Sequence, residues 1–170
     1  MKPEEKRCSY FALSSKTKKE LAERSAFLGF IEAAKVKVDP DSAANEEPLL
    51  PDISCKIEGA PYFFELGEIT DENLAKDIST SLRDGIDGEG GFFSEEQPLI
   101  RIVRKKKSKT YQTNGAPMDL VLYYDKQFQI APAEYLKLYK ADIDACVTPD
   151  GAFSRIWIYS SWTKSILWQR

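Results

Sequence analysis

A chain of 170 residues, 42% apolar and 30% charged, has an ordinary globular composition and length enough for one domain around one core. It contains no histidine, which excludes Ser-His-Asp and Cys-His catalysis and the usual histidine-ligated zinc, copper and iron sites. The net charge of −3 gives no global attraction to nucleic acid, so any such binding has to rest on a local basic patch.

No apolar run is long enough to span a bilayer. The charged N-terminus, MKPEEKRCSY, lacks the apolar stretch of a secretory signal. The cysteines, Cys8, Cys55 and Cys146, are far apart, odd in number and without a Cys-x-x-Cys pair, which fits free thiols in a reducing compartment. A cytoplasmic protein with no membrane partner is expected. Residues 1–16 read as a partly ordered N-terminal segment and residues 17–170 as a single α/β domain.

In chain order, Thr17 and Glu20 form a capping box that starts a helix, with Leu21, Leu28 and Ile31 at helical spacing and Phe27 and Ala34 beside them. The proline-rich acidic stretch Asp39–Pro51 reads as a loop. Strands are predicted over Ile53–Glu58 and Tyr62–Thr70, with Gly59-Ala60 turning between them. Leu74, Ile78 and Leu82 mark a second helix, followed by a glycine-rich loop over Gly85–Gly91 that lacks the ending of a phosphate loop. A third helix runs from about Pro98 to Gln112, stopped by Asn114-Gly115. Met118–Tyr124 is a buried strand, Pro132 opens a fourth helix reaching about Asp144, and Phe153–Tyr159 and Ser165–Trp168 are final strands. The order α-β-β-α-α-β-α-β-β implies a mixed central β-sheet flanked by helices. The late aromatics Trp157, Tyr159, Trp162 and Trp168 read as core and sheet-edge packing, or else as a partner surface.

Two carboxylates hold the chemical interest. Asp52 stands at the head of one strand, where aspartate also simply initiates turns. Glu65 follows two phenylalanines in a strand expected to be central, and a carboxylate there is costly unless it is paired with a lysine or bound to metal. Hairpin strands bring the two within about 6 Å, a separation that one hydrated Mg²⁺ bridges. Crowded acids repel, so neutralising Asp52 is expected to stabilise the apo protein. Glu68 joins them only if the strand bulges at Gly67, because residues three apart on a strand face opposite sides.

The basic run Arg101, Arg104, Lys105, Lys106, Lys107 and Lys109 reads as a solvated face or as a phosphate-contacting one. Ile100, Val103, Lys107 and Tyr111 share one face of a continuous helix, which aims Lys107 at the sheet and its ammonium at the acids.

The segment PDISCKIEGAPYFFELGEI, residues 51–69, resembles the PD-(D/E)XK nuclease superfamily, the restriction-endonuclease-like fold. The resemblance covers residues 17 to 160 or so. It implies a restriction-endonuclease-like core, with Asp52 as the first acid of the motif and Glu65 as the second. It implies Mg²⁺ held by Asp52 and Glu65; Glu68 matches no core position of the motif and is a further candidate ligand from its place on the strand alone. The strand lysine of the motif is replaced by Gly67. Some branches of the family carry the lysine on the following helix, and Lys107 looks like such a migrated lysine, giving Asp52, Glu65 and Lys107 as the catalytic set. Arg104, Lys105, Lys106 and Lys109 are then the residues expected to contact nucleic acid, DNA in preference to RNA. The expected function is a metal-dependent phosphodiesterase or nuclease. Its rival is a nuclease-like fold kept as a non-catalytic binding or interaction module.

Overall fold

The computed structural model describes residues 15–39, 41–46, 49–70, 98–124, 136–137, 140–146, 148 and 151–170. The predicted helix around Leu74–Leu82, the Gly85–Gly91 loop and the start of the predicted fourth helix lie outside them, as does most of the N-terminal segment.

Helix α1 spans Ser15–Ala34. Thr17 therefore lies inside the helix and does not cap it. The face turned to the protein is also not the one that Leu21 and Leu28 suggest. Those two are 45% and 49% exposed, whereas Ala26, Phe27 and Phe30 are buried. The two phenylalanines pack tilted or edge-on against Phe64, and Phe30 also meets Trp157 and Tyr159 edge-on. Gly29 permits this approach, since a Cβ there would run into the Tyr159 hydroxyl.

The described strands are β1 (Ala44–Asn45), β2 (Ile53–Ile57), β3 (Ala60–Glu68), β4 (Met118–Tyr124), β5 (Arg155–Ser160) and β6 (Ser165–Gln169). They form one mixed sheet in sequential order. The pairs β1–β2, β2–β3 and β5–β6 are antiparallel, and β3–β4 and β4–β5 are parallel. Strand β1 lies within the segment read as a loop; its two residues pair with Ile53 and Ser54. The β2–β3 turn is Glu58-Gly59, at φ 53° and 79°. Successive left-handed residues are what a two-residue hairpin loop requires. Strand β4 is buried along its whole length, as a parallel strand covered on both faces should be.

Helix α2 (Pro98–Lys107) and the short α3 (Lys140–Cys146) complete the described elements. Alternation along the strands builds two cores. Leu99 and Val103 of α2 pack on the face carrying Ile69, Leu120, Leu122 and Ile158. Helix α1 covers the opposite face through Phe64, Leu66, Val121 and Trp157. No helix among the described residues is long and apolar enough to cross a membrane.

The register limits how far β2 accompanies β3. β2 pairs with β3 only from Ile53–Phe64 to Ile57–Ala60. Among the described residues, β3 continues beyond Phe64 beside β4 alone, from Glu65–Leu120 to Glu68–Tyr123. Its second half is thus an edge of the described sheet, with the head of β2 just below it and a helix on each side.

Candidate functional site

Asp52 immediately precedes β2, and Glu65 is the first residue of β3 past the end of the hairpin. They are tied to each other's backbone. The Leu66 N–H donates to Asp52 Oδ2 at 2.8 Å, and the Asp52 N–H donates to Glu65 Oε2 at 3.3 Å. Glu65 is 1% exposed, the deepest charged group on this side of the sheet.

A lysine meets both acids, and it is Lys106 rather than Lys107. Lys106 Nζ lies 2.5 Å from Glu65 Oε1 and 3.5 Å from Asp52 Oδ2. With one nitrogen bridging them at those distances, the two carboxylate oxygens are no more than about 6 Å apart, close enough to share one hydrated cation. Lys109 Nζ adds a second contact to Glu65 Oε1 at 3.1 Å. The two lysines differ in access: the Lys106 side chain is 13% exposed and that of Lys109 47%. Two ammonium groups thus answer two carboxylates, and the expected repulsion between Asp52 and Glu65 is already offset.

Lys107 instead reaches Thr148, with Nζ to Oγ1 at 3.4 Å. The one-residue error has a physical cause. The helix ends at Lys107 and does not run on to Gln112, so Tyr111 cannot set its phase. The Ser108 hydroxyl donates to the Lys105 carbonyl at 3.0 Å, and the Tyr111 hydroxyl to the Lys106 carbonyl at 3.1 Å. These satisfy acceptors that the last helical turn leaves open. Within α2 the buried residues are Leu99 and Val103. Lys106 lies three beyond Val103 and so continues that face.

Gly67 explains how Lys106 arrives. Glu65 and Gly67 share the β3 face that looks at α2. A Cβ on Gly67 would lie 2.8 Å from Leu122 Cδ2, 3.0 Å from Ile102 Cγ2 and 3.7 Å from Lys106 Cε. The helix sits directly on the glycine, and the lysine stem crosses it. The position that the motif would fill with a strand lysine is the floor over which a helix lysine passes.

Glu68 does not join the pair. The β3–β4 register runs without interruption from Phe63 to Glu68, so no bulge turns it round. It is exposed on the α1 side of the sheet. Arg104 and Lys105 are exposed on α2. Among the described residues, no group of three or more histidine, cysteine, aspartate or glutamate side chains is placed to hold one metal ion.

Two residues that sequence reading did not single out for the site belong to its surroundings. Glu23 on α1 lines the same cavity of about 420 Å³ as Asp52 and Glu65. Burial, then the charge of Asp52, holds its carboxyl above the usual carboxylate range, although Lys19 at 3.2 Å pulls the other way. Tyr111 lines that cavity too, and burial with the nearby Glu65 and Asp52 raises its hydroxyl far above the ordinary tyrosine range. No sequence signal marks Glu23, because it meets Asp52 only through the packing of α1 against the sheet.

The raised pKa of Glu23 has a sign that can be measured. A carboxyl that binds its proton more tightly when folded lowers stability while ionised, and that loss is recovered as pH falls through its folded value toward about 4.5. Glu23→Gln is therefore expected to raise the thermal midpoint at pH 7, with the difference from wild type vanishing below pH 4. A midpoint at pH 7 that falls would mean that the ion pair to Lys19 outweighs burial and Asp52.

The chain was compared with protein-family models, curated proteins and solved structures, and none of them matches it. The functional reading therefore rests on the geometry of these residues and on the motif resemblance.

Proposed function

We propose that this protein is a metal-dependent phosphodiesterase acting on nucleic acid, with Asp52 and Glu65 as its metal-binding acids and Lys106 as its catalytic lysine. The observation that carries the reading is a single ammonium placed against both motif carboxylates, delivered from a helix across the glycine that stands where the motif has its lysine.

The donor set suits Mg²⁺. Two hard carboxylates facing a common cation position, with water and a substrate phosphate completing the shell, is an arrangement this ion favours. It suits zinc or copper less well, since those ions favour imidazole and thiolate ligands. Bound there, Mg²⁺ supplies Lewis-acid polarisation of a phosphoryl oxygen and a more acidic water.

The chain's own residues then divide the work. Asp52 and Glu65 orient each other through reciprocal bonds to backbone N–H groups, so neither needs to reorganise. Lys106 places positive charge where a phosphate in contact with the acids develops negative charge. Lys109, more exposed and on the segment after α2, answers Glu65 when the metal position is not in use.

The test is a cleavage assay with end-labelled single- and double-stranded DNA and RNA, with and without millimolar Mg²⁺ or Mn²⁺. Cleavage is expected only with metal and is expected to be lost in Asp52→Asn. The non-catalytic reading draws on the lysine pairing, which leaves both acids compensated without metal. It is favoured if no substrate is cut and calorimetry detects no Mg²⁺ binding.

A further inference from the structure

Beside the acids, along that edge of β3, runs a groove of about 690 Å³. One wall is α1, contributing Lys18 and Lys19; the other is α2 with its following segment, contributing Arg101, Lys105, Lys106 and Lys109. Among the described residues, two acids, Glu23 and Glu68, line it. A chain with net charge −3 thus gathers six cations around one narrow feature. Because Lys106 and Lys109 also contact Glu65, the groove opens directly into the Asp52–Glu65 site.

We propose that this groove is the track for one single strand of nucleic acid, with Lys18 and Lys105 contacting phosphates next to the one that reaches the acids. The proposal deepens the phosphodiesterase reading by naming the substrate class. Three features favour a single strand over a duplex. First, the cations stand on two facing helices and not on one broad surface. Second, those helices pack on opposite faces of the sheet, and both line the part of β3 that lies past its pairing with β2. Third, the volume is that of a pocket for a small ligand or a few residues of an extended chain. A duplex carries its phosphates on a convex outer surface and needs a wide, exposed basic face. A positively charged groove that follows one backbone is the usual solution for single strands.

Counterion release gives the measurement. Each phosphate contact on a single strand contributes a slope of about −0.7 to log affinity against log salt concentration. Fluorescence anisotropy is read on the full chain in EDTA, with a labelled oligothymidylate and a labelled hairpin duplex of equal length. The single strand is expected to bind several-fold tighter. Lys18→Gln and Lys105→Gln are each expected to weaken binding several-fold and to reduce the slope by about 0.7. Lys37→Gln, exposed beyond the end of α1, is expected to leave both unchanged. Equal or tighter duplex binding, or wild-type slopes in both groove variants, would overturn the proposal.

EDTA keeps this experiment separate from cleavage. A chain that binds single strands through Lys18 and Lys105 yet cuts nothing keeps the groove and loses the phosphodiesterase reading. A chain that cuts duplex DNA with Mg²⁺ while both groove variants bind as wild type does the reverse.

Discussion

Lys106→Met is expected to lower metal-dependent cleavage by about 10²–10³-fold, the usual loss when one preorganised charge-stabilising group is removed from an active site. Lys107→Met, one residue away on the same helix, is expected to stay within about twofold of wild type, a change too small to count as lost transition-state stabilisation. The contrast follows from where the two nitrogens lie: one bridges Glu65 and Asp52, and the other meets Thr148. Lys106→Arg is expected to recover little. The stem crosses Gly67 at near-contact distance, and a planar guanidinium does not fit the space of a compact ammonium. Lys106→Met also leaves the buried Glu65 with Lys109 alone, so the variant is expected to melt lower than wild type. Single-turnover rates are therefore compared at a temperature where circular dichroism shows every variant folded. Equal rates for wild type and Lys106→Met would remove this lysine from the mechanism, and a large loss in Lys107→Met would return the role to its neighbour.

The outline of the sheet could be read from the sequence because its signals are local. The apolar run Met118–Tyr124 and the hairpin over residues 53–68 need no distant partner to be recognised. The hairpin also brought Asp52 and Glu65 together in advance, since a two-residue turn leaves little freedom of register. Failures came where tertiary packing chose between local options. Leu21 and Leu28 carry good helical spacing, yet the sheet offered Phe64 and Trp157, and the larger rings of Phe27 and Phe30 took that contact. Lys106 and Lys107 have the same propensity. The phase in which Leu99 and Val103 seat α2 on the sheet, with Ile102 and Lys106 over Gly67, decides which one reaches the acids. Strand β1 is two residues long in a stretch rich in proline and acid, and it exists because β2 offers it an edge. Glu23 enters the site across tertiary contacts that no periodicity encodes.

Asp119→Ala is expected to cost about 3–5 kcal/mol of folding stability, because it leaves the Tyr62 and Trp157 donors unpaired, at about 1–3 kcal/mol for each buried group, while Arg155, 39% exposed, turns to water. In a domain of this size that corresponds to a fall of roughly 6–20 °C in the thermal midpoint. Asp119 sits near the start of β4, fully buried on the face covered by α1 and opposite to the one that holds Glu65. Its Oδ1 accepts from the Tyr62 hydroxyl at 2.7 Å, and its Oδ2 accepts from Arg155 Nε at 2.9 Å and Trp157 Nε1 at 2.8 Å. Arg155 also donates to the Tyr62 oxygen at 3.2 Å, and its guanidinium lies 5.1 Å from the Trp157 ring centre. Strands β3, β4 and β5 are thereby joined through one carboxylate. Burial and the bond to Asp119 push the Tyr62 hydroxyl up to about 12, so it stays a donor over the whole working pH range. The surroundings of Glu65 differ. The partners of Asp119 stand on the strands themselves, and a ligand would have to break the sheet's own bonds to reach it. The charged partners of Glu65 are two lysines from a helix and the segment after it, and one of them is half exposed. Asp119→Ala should therefore melt early yet, below its transition, bind oligothymidylate as wild type does. A loss under 1 kcal/mol in chemical denaturation would show that the network contributes little. Weakened oligonucleotide binding by the folded variant would couple it to the groove along the edge of β3.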